Sequence, residues 1–423
     1  MTALDDVLAD LEASPTPYHA VARAADVLGR SGFREVDQRA RLPTGPGRHL
    51  VVEGGALVAW VQAEPLPAGF VVVAAHTDSP GLRVKSHPDL GAAGAQQVGV
   101  EVYGGPLLNS WLDRDLGLAG RVAVRTGGRV ELRLVRDDAP VLRVPQLAIH
   151  LDREVATTGL RLDPQLHLTP MWGLGAPGPG LLAEHVAGLL DVAPEAVLAW
   201  DLMAFDTQPP ALVGRDRDLI ASARIDDQLS VFCGAHALGA VAGAAHPRTP
   251  VLALYDHEEV GSESATGAAG ALLGQVLERI SLAGGRDREG HLAALASSVV
   301  VSADGAHATH PNHPDRHDPA HRIALNAGIV VKRNAKQRYA TDAISEGWLR
   351  AVAADAGLPL QTYVHRNDLP CGSTVGPITA AALGVPTVDV GAPQLAMHSI
   401  RETAGARDVE HLVRLLSACW TSG

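Results

Sequence analysis

Four short strings each place an acid or an imidazole just after a run that reads as a buried strand. They are GFVVVAAHTDSP with His76 and Asp78, TPVLALYDHEEVGS with Glu258 and Glu259, SSVVVSADGAHATHP with Asp304, and VPTVDVGAPQLAMHS with His398. A fifth string, ASARIDDQLSVF, puts Asp226 at the start of a helix. In open α/β sheets ligands bind beyond the carboxyl ends of the strands, so groups delivered there from separate strands converge on one site. Two histidines and several carboxylates without cysteine form a ligand set for zinc, manganese or cobalt in a hydrolytic centre. The chemistry to expect is cleavage of an amide bond by metal-activated water.

Each string also has a plainer reading. In H-x-D the carboxylate can accept the second N–H of a metal-bound imidazole, or simply make a loop hydrogen bond. Adjacent Glu258 and Glu259 repel one another at a buried strand end unless a cation or proton intervenes. One can bind metal while the other takes a proton from water; a solvated acidic turn is the alternative. Asp226 can bridge two ions or cap a helix. Asp304 is a ligand or a turn residue, and His398 a ligand or a core histidine. The segment Gly305–His321 carries five histidines, but its prolines and acids break any regular ligand face. These histidines read as substrate contacts, supports for the ligands, or surface.

The elements that must hold these groups follow from the periodicities. Residues 1–40 read as two helices broken at SPTP, with Val7, Leu8 and Leu11 before the break and Val21, Ala25 and Leu28 after it. Strands follow through Phe70–Ala75. From about 90 to 215 the chain turns to short alternating strand-like runs with Gly-rich turns, and MWGLGAPGPG reads as a loop. Strand-like runs at 251–255, 298–302, 361–364 and 386–390 then alternate with Ala- and Leu-rich helices, one of them the buried run Ser230–Ala245. The architecture expected is an α/β catalytic domain, residues 1–90 and 219–423, interrupted by a β-rich insertion, residues 91–218.

The bulk numbers narrow the function classes. At 423 residues, 46% hydrophobic and 19% charged, the chain suits a folded enzyme of more than one domain. A net charge of −12 argues against nucleic acid as a partner, because no basic stripe is left to neutralise phosphates. No run of 18 apolar residues suggests a membrane span. Three distant cysteines without a CxxC pair fit a reducing compartment. The acidic opening MTALDDVLADLEASPTP lacks the basic start of a secretory signal, and a cytoplasmic location is expected.

Taken in order, SPTPYHAV, AAHTDSPGLRVK, GGPLLNSWLDRDL, PQLAIHLDR, SARIDDQLS, DHEEVGSESATGA, SADGAHATHPN, KQRYATDA, RNDLPCGSTVGP and GAPQLAMHSIRE resemble the aspartyl aminopeptidases, a family of dinuclear zinc exopeptidases. The resemblance runs nearly end to end. It implies a zinc-exopeptidase-like domain whose central sheet is flanked by helices, with the inserted domain serving assembly. It implies two zinc ions per subunit, with manganese or cobalt as substitutes, held by His76, Asp226, Glu259, Asp304 and His398. Asp226 would bridge them, Asp78 would steer His76, and Glu258 would be the general base for a metal-bridging hydroxide. Lys336 would meet an acidic first side chain, with His307 and His310 as further substrate contacts. His150 would complete a neighbour's site in a tetrahedral homododecamer. The substrate implied is a peptide beginning with Asp or Glu. Asp227, His313 and Gln146 depart from the usual pattern without removing a ligand. The rival readings are a dinuclear zinc aminopeptidase or deacylase of neutral specificity, and an inactive scaffold that keeps metal for stability.

Overall fold

The computed structural model describes residues 3–422. The chain divides into two compact units, one of Met1–Asp78, Pro210–Met397 and Glu402–Gly423, the other of Ser79–Pro209 and His398–Arg401. The boundaries fall at 78/79 and 209/210, not at the expected 90/91 and 218/219. The cause is the Gly81–Ala92 strand, which pairs with Ala95–Tyr103 and Val197–Asp206 inside the second unit.

The first unit is built on a nine-stranded sheet whose middle is Thr249–Tyr255, Phe70–His76, Val299–Ala303 and Thr387–Gly391, in that spatial order and all parallel. These are the strands that precede the candidate ligands. They are buried along their whole lengths because both faces are covered. Val71, Val73 and Ala75 pack into one core with Val21, Leu28, Phe232 and Leu412. Phe70, Val72 and Ala74 pack into a second with Leu273, Val276 and Leu277 on the opposite face. That is why the strands read as unbroken apolar runs instead of alternating ones. Phe232, fully buried on the Ile225–Val241 helix, is a point of failure: truncation to Ala would cost about 3–5 kcal/mol.

Two strands of this sheet escaped the sequence reading, the two-residue Arg34–Glu35 and Ile329–Arg333. Ile329–Arg333 runs antiparallel to Thr387–Gly391 and parallel to Leu360–Val364. Its Lys332 and Arg333 look like surface, yet Lys332 is only 1% exposed. A smaller five-stranded sheet in the same unit contains Ala306–His307 beside Pro393–Leu395.

The second unit is a six-stranded antiparallel sheet with a core of Leu82, Val98, Leu116, Val122 and Leu202. Part of the stretch expected as a loop is its edge: Met171–Leu174 pairs with Ala95–Gln97. Four residues including a glycine carry too little pattern to be read as a strand.

Candidate metal centre

The parallel register aligns the strand ends. Tyr255 sits beside His76, and Ala303 beside Val390, so the residues that follow emerge at one edge of the sheet. Asp304 is held there by its backbone N–H, which donates to Val390 O at 3.0 Å. The neighbouring strand must end in glycine, since a Cβ at Gly391 would lie 1.9 Å from the Asp304 carbonyl oxygen.

His76, Asp226 and Asp304, all buried, bring one ligand atom each within 4.8 Å of one another. His76 Nε2 lies 3.4 Å from Asp226 Oδ1. On its other side His76 Nδ1 is 3.0 Å from Asp78 O and 3.5 Å from Asp78 Oδ1. Asp78 thus leaves Nε2 as the free ligand atom, the arrangement metal-bound imidazoles use. Glu258 and Glu259 also lie with His76 in a group of that size. They form a single 3-10 turn after the Thr249–Tyr255 strand.

Asp226 precedes the regular turns of the Ile225–Val241 helix: its φ/ψ of −83° and 108° are extended, and its N–H donates to Glu402 Oε2 at 2.8 Å. Asp227, the departure from the family pattern, is fully buried and accepts from His76 N at 3.2 Å. Burial raises its carboxyl well above the ordinary range, and the nearby Asp304 and Asp226 add to the shift.

Electrostatically the cluster is short of positive charge. Burial first, then the carboxylates of Asp304, Asp226 and Asp78, push Glu258 up to about 7. Burial, opposed by Lys332 and His76, leaves Asp304 at about 6. Burial pulls His76 down, but hydrogen bonds to Asp226 and Asp78 raise it well above its usual value. Carboxylates this close cannot all ionise without a cation between them, which is what a divalent metal supplies. The donor set fits zinc: imidazole and carboxylate, no thiolate.

His398 belongs to the second unit, with φ of 67° and Nδ1 3.0 Å from Gly105 O. His150 is exposed in the second unit, flanked by exposed Leu147, Ile149 and Leu151; it is not packed inside the β-rich domain. His307 faces Tyr363 with ring centroids 6.0 Å apart, and burial with Lys332 nearby lowers it to about 4. His310 donates from its backbone N to His317 Nε2. Lys336, expected at an acidic pocket, is exposed on the turn after Ile329–Arg333. Nearby, Lys332 is a buried cation: its Nζ donates to Asp304 O at 3.0 Å and Gly305 O at 3.2 Å, and lies 3.6 Å from Asp304 Oδ1. The signal for it was a lysine inside an otherwise apolar strand run.

A histidine and carboxylate cluster at the carboxyl edge of a parallel sheet is the arrangement a metallohydrolase uses. Comparison with known proteins narrows this further. Residues 11–420 match the family model described as aminopeptidase I zinc metalloprotease (M18). A Streptomyces coelicolor protein described as "Probable M18 family aminopeptidase 2" is 51% identical over 419 residues, 98% of this chain and 96% of that one. A Mycobacterium tuberculosis protein of the same description is 50% identical over 407 residues, 94% and 93% of the two chains. Among solved structures, "Cryo-EM structure of the Ape4 and Nbr1 complex" matches with a TM-score of 0.94 at 35% identity, covering 98% of this chain and 85% of that one. "Structure of S. cerevesiae mApe1 dodecamer" matches with 0.86 at 27%, covering 98% and 95%. The chain therefore belongs to the M18 family of zinc metalloaminopeptidases. Among the described residues no helix is long and apolar enough to cross a membrane.

Proposed function

We propose that this aminopeptidase removes N-terminal Asp or Glu from peptides, using two metal ions per subunit. The buried Lys332 ammonium beside Asp304 is the observation that carries the acidic preference. The net charge of −12 repels an acidic peptide, so selection needs a local cation. Lys332 Nζ donates to the carbonyls of Asp304 and Gly305 and lies 3.6 Å from Asp304 Oδ1, which fixes a positive charge beside the proposed ligand.

His76, Asp226 and Asp304 are the proposed ligands of one ion, and Asp226, Glu259 and His398 of the other. When bound, zinc supplies Lewis acidity and an acidified water. Glu258 takes a proton from the attacking water and returns it to the leaving amine. Asp78 holds His76 and the Glu258–Glu259 turn in mutual register. His150, presented on an exposed apolar loop, donates to the developing oxyanion of a neighbouring subunit. Leu147, Ile149 and Leu151, 58%, 55% and 75% exposed, support a self-assembled state such as a dodecamer. The three cysteines are free, which supports a cytoplasmic setting.

The test is turnover of Asp-, Glu-, Ala- and Lys-initiated substrates before and after chelation. Acidic substrates should be preferred and all turnover should vanish with the metal. Lys332→Met should erase the preference while Lys336→Ala leaves it largely intact. A flat substrate profile in the unaltered enzyme would favour a neutral aminopeptidase.

A further inference from the structure

The Pro393–Leu395 strand carries a buried polar group that the ligand set and the general base do not use. Gln394 is 1% exposed, and among the described residues neither its Nε2 nor its Oε1 has a hydrogen-bond partner. A primary amide closed off from solvent and unpaired at both ends is costly and uncommon in native interiors, where buried polar groups are nearly always satisfied. Its location gives the cost a meaning. Gln394 pairs in register with His307, and its backbone oxygen accepts from Ala308 N at 2.9 Å. Its side chain lies against Gly305: a Cβ built on that glycine would stand 2.7 Å from Gln394 Nε2. Gly305 follows the candidate ligand Asp304 and offers its carbonyl to Lys332 Nζ. Lys332 and the Gln394 amide therefore bracket the Asp304–Gly305 dipeptide.

We propose that Gln394 is a further specificity-determining residue, whose Nε2 donates to the side-chain carboxylate of the substrate's first residue. The proposal rests on the acidic-substrate reading above. Chemistry favours an amide here. The cluster of Asp226, Glu258, Glu259 and Asp304 opposes a further carboxylate, and Lys332 spends much of its field on Asp304. A neutral donor adds attraction for an anion without depending on pH. It also has a second face: turned about its last bond, the amide presents Oε1 to the N–H of an Asn side chain. Weak turnover of Asn-initiated peptides follows, with the same residue reading both.

The experiment compares kcat/KM for Asp-, Asn- and Ala-initiated substrates in the metal-loaded wild type, Gln394→Met and Gln394→Glu, alongside thermal melts. A wild type without acidic preference defeats the substrate assignment itself, before any variant is read. Given that preference, Gln394→Met should lower kcat/KM for Asp about 10- to 100-fold through KM, leave Ala unchanged, and not lower Tm, since it removes an unpaired amide at similar volume. Gln394→Glu should depress Asp further still while sparing Asn. Equal losses on Asp and Ala, or an unchanged ratio with a lowered Tm, would overturn the proposal and make the amide structural. If Gln394→Met does not fold, Gln394→Asn reads the same ratio with a donor drawn back by one methylene.

Discussion

Asp78 Oδ1 accepts a hydrogen bond from the backbone N–H of Glu258 at 3.1 Å. Its other oxygen accepts from Glu259 N at the same distance, while its carboxylate and carbonyl face His76. One buried side chain thus sets the orientation of the His76 imidazole and the start of the turn that carries the proposed base.

The first prediction concerns that base. Glu258→Gln should cut turnover by about 100-fold or more while metal content stays at the wild-type level. The substitution keeps shape and the backbone bonds to Asp78, so lost activity reports proton transfer alone. Near-normal turnover with full metal would assign the base elsewhere.

Asp226→Ala should lose activity and most of the metal together, because a carboxylate shared by two ions serves both. Metal analysis by mass spectrometry checks this. Two ions still bound per chain would remove the bridge from the site.

Metal removal should invert the pH dependence of stability. In the metal-free chain Glu258 and Asp304 titrate near 7 and 6, above the ordinary 4.5 and 3.8. Between those values the folded chain holds protons that the unfolded chain has released, so stability falls as pH rises through the window. His76, also raised, acts in the same direction. His307, lowered to about 4, acts oppositely, and its contribution is already complete above its ordinary 6.5. The chelated protein should therefore melt at lower temperature as pH goes from about 6 to about 8, and the stabilisation by added zinc should grow. Calorimetry with and without chelator measures both. A chelated protein that gains stability over that interval contradicts the buried, cation-poor cluster.

Complementation tests His150. Chains carrying His150→Ala or Glu258→Gln, each nearly inactive, should regain activity when dissociated and reassembled together. A neighbour-supplied imidazole requires some mixed contacts to pair an intact Glu258 with an intact His150. No recovery despite demonstrated mixed assembly, or full activity in an isolated monomer, would defeat it.

The four central strands were legible because burial on both faces forces unbroken apolar runs, and because a ligand-type residue at the end of each is conspicuous. Asp226 was ambiguous because an aspartate at a helix start is a common cap; its grouping with His76 and Asp304 is long-range and does not show in the local sequence. Lys332 was hidden by its neighbours: beside Arg333 and near Lys336 and Arg338 it looks like solvated surface, and its partners lie 27 and 28 residues away. The compact units divide the chain before the expected limit at 90/91 because the Gly81–Ala92 strand begins three residues after Asp78 with no change of composition. Pairing partners across a hundred residues decide such limits, and a single sequence does not display them.

His76 and Asp304 are welded to a sheet buried on both faces, whereas Glu259 rides on a three-residue turn between left-handed His257 and Gly261. Exchange kinetics should inherit that contrast. With two ions bound as proposed, the one leaning on Glu259 escapes when a short turn peels back, a local motion that leaves the core intact. The one resting on His76 and Asp304 waits for the sheet itself to breathe. Brief dialysis against chelator should accordingly yield a half-loaded enzyme in one defined state, and the order in which the ions leave is written in the stiffness of what holds them.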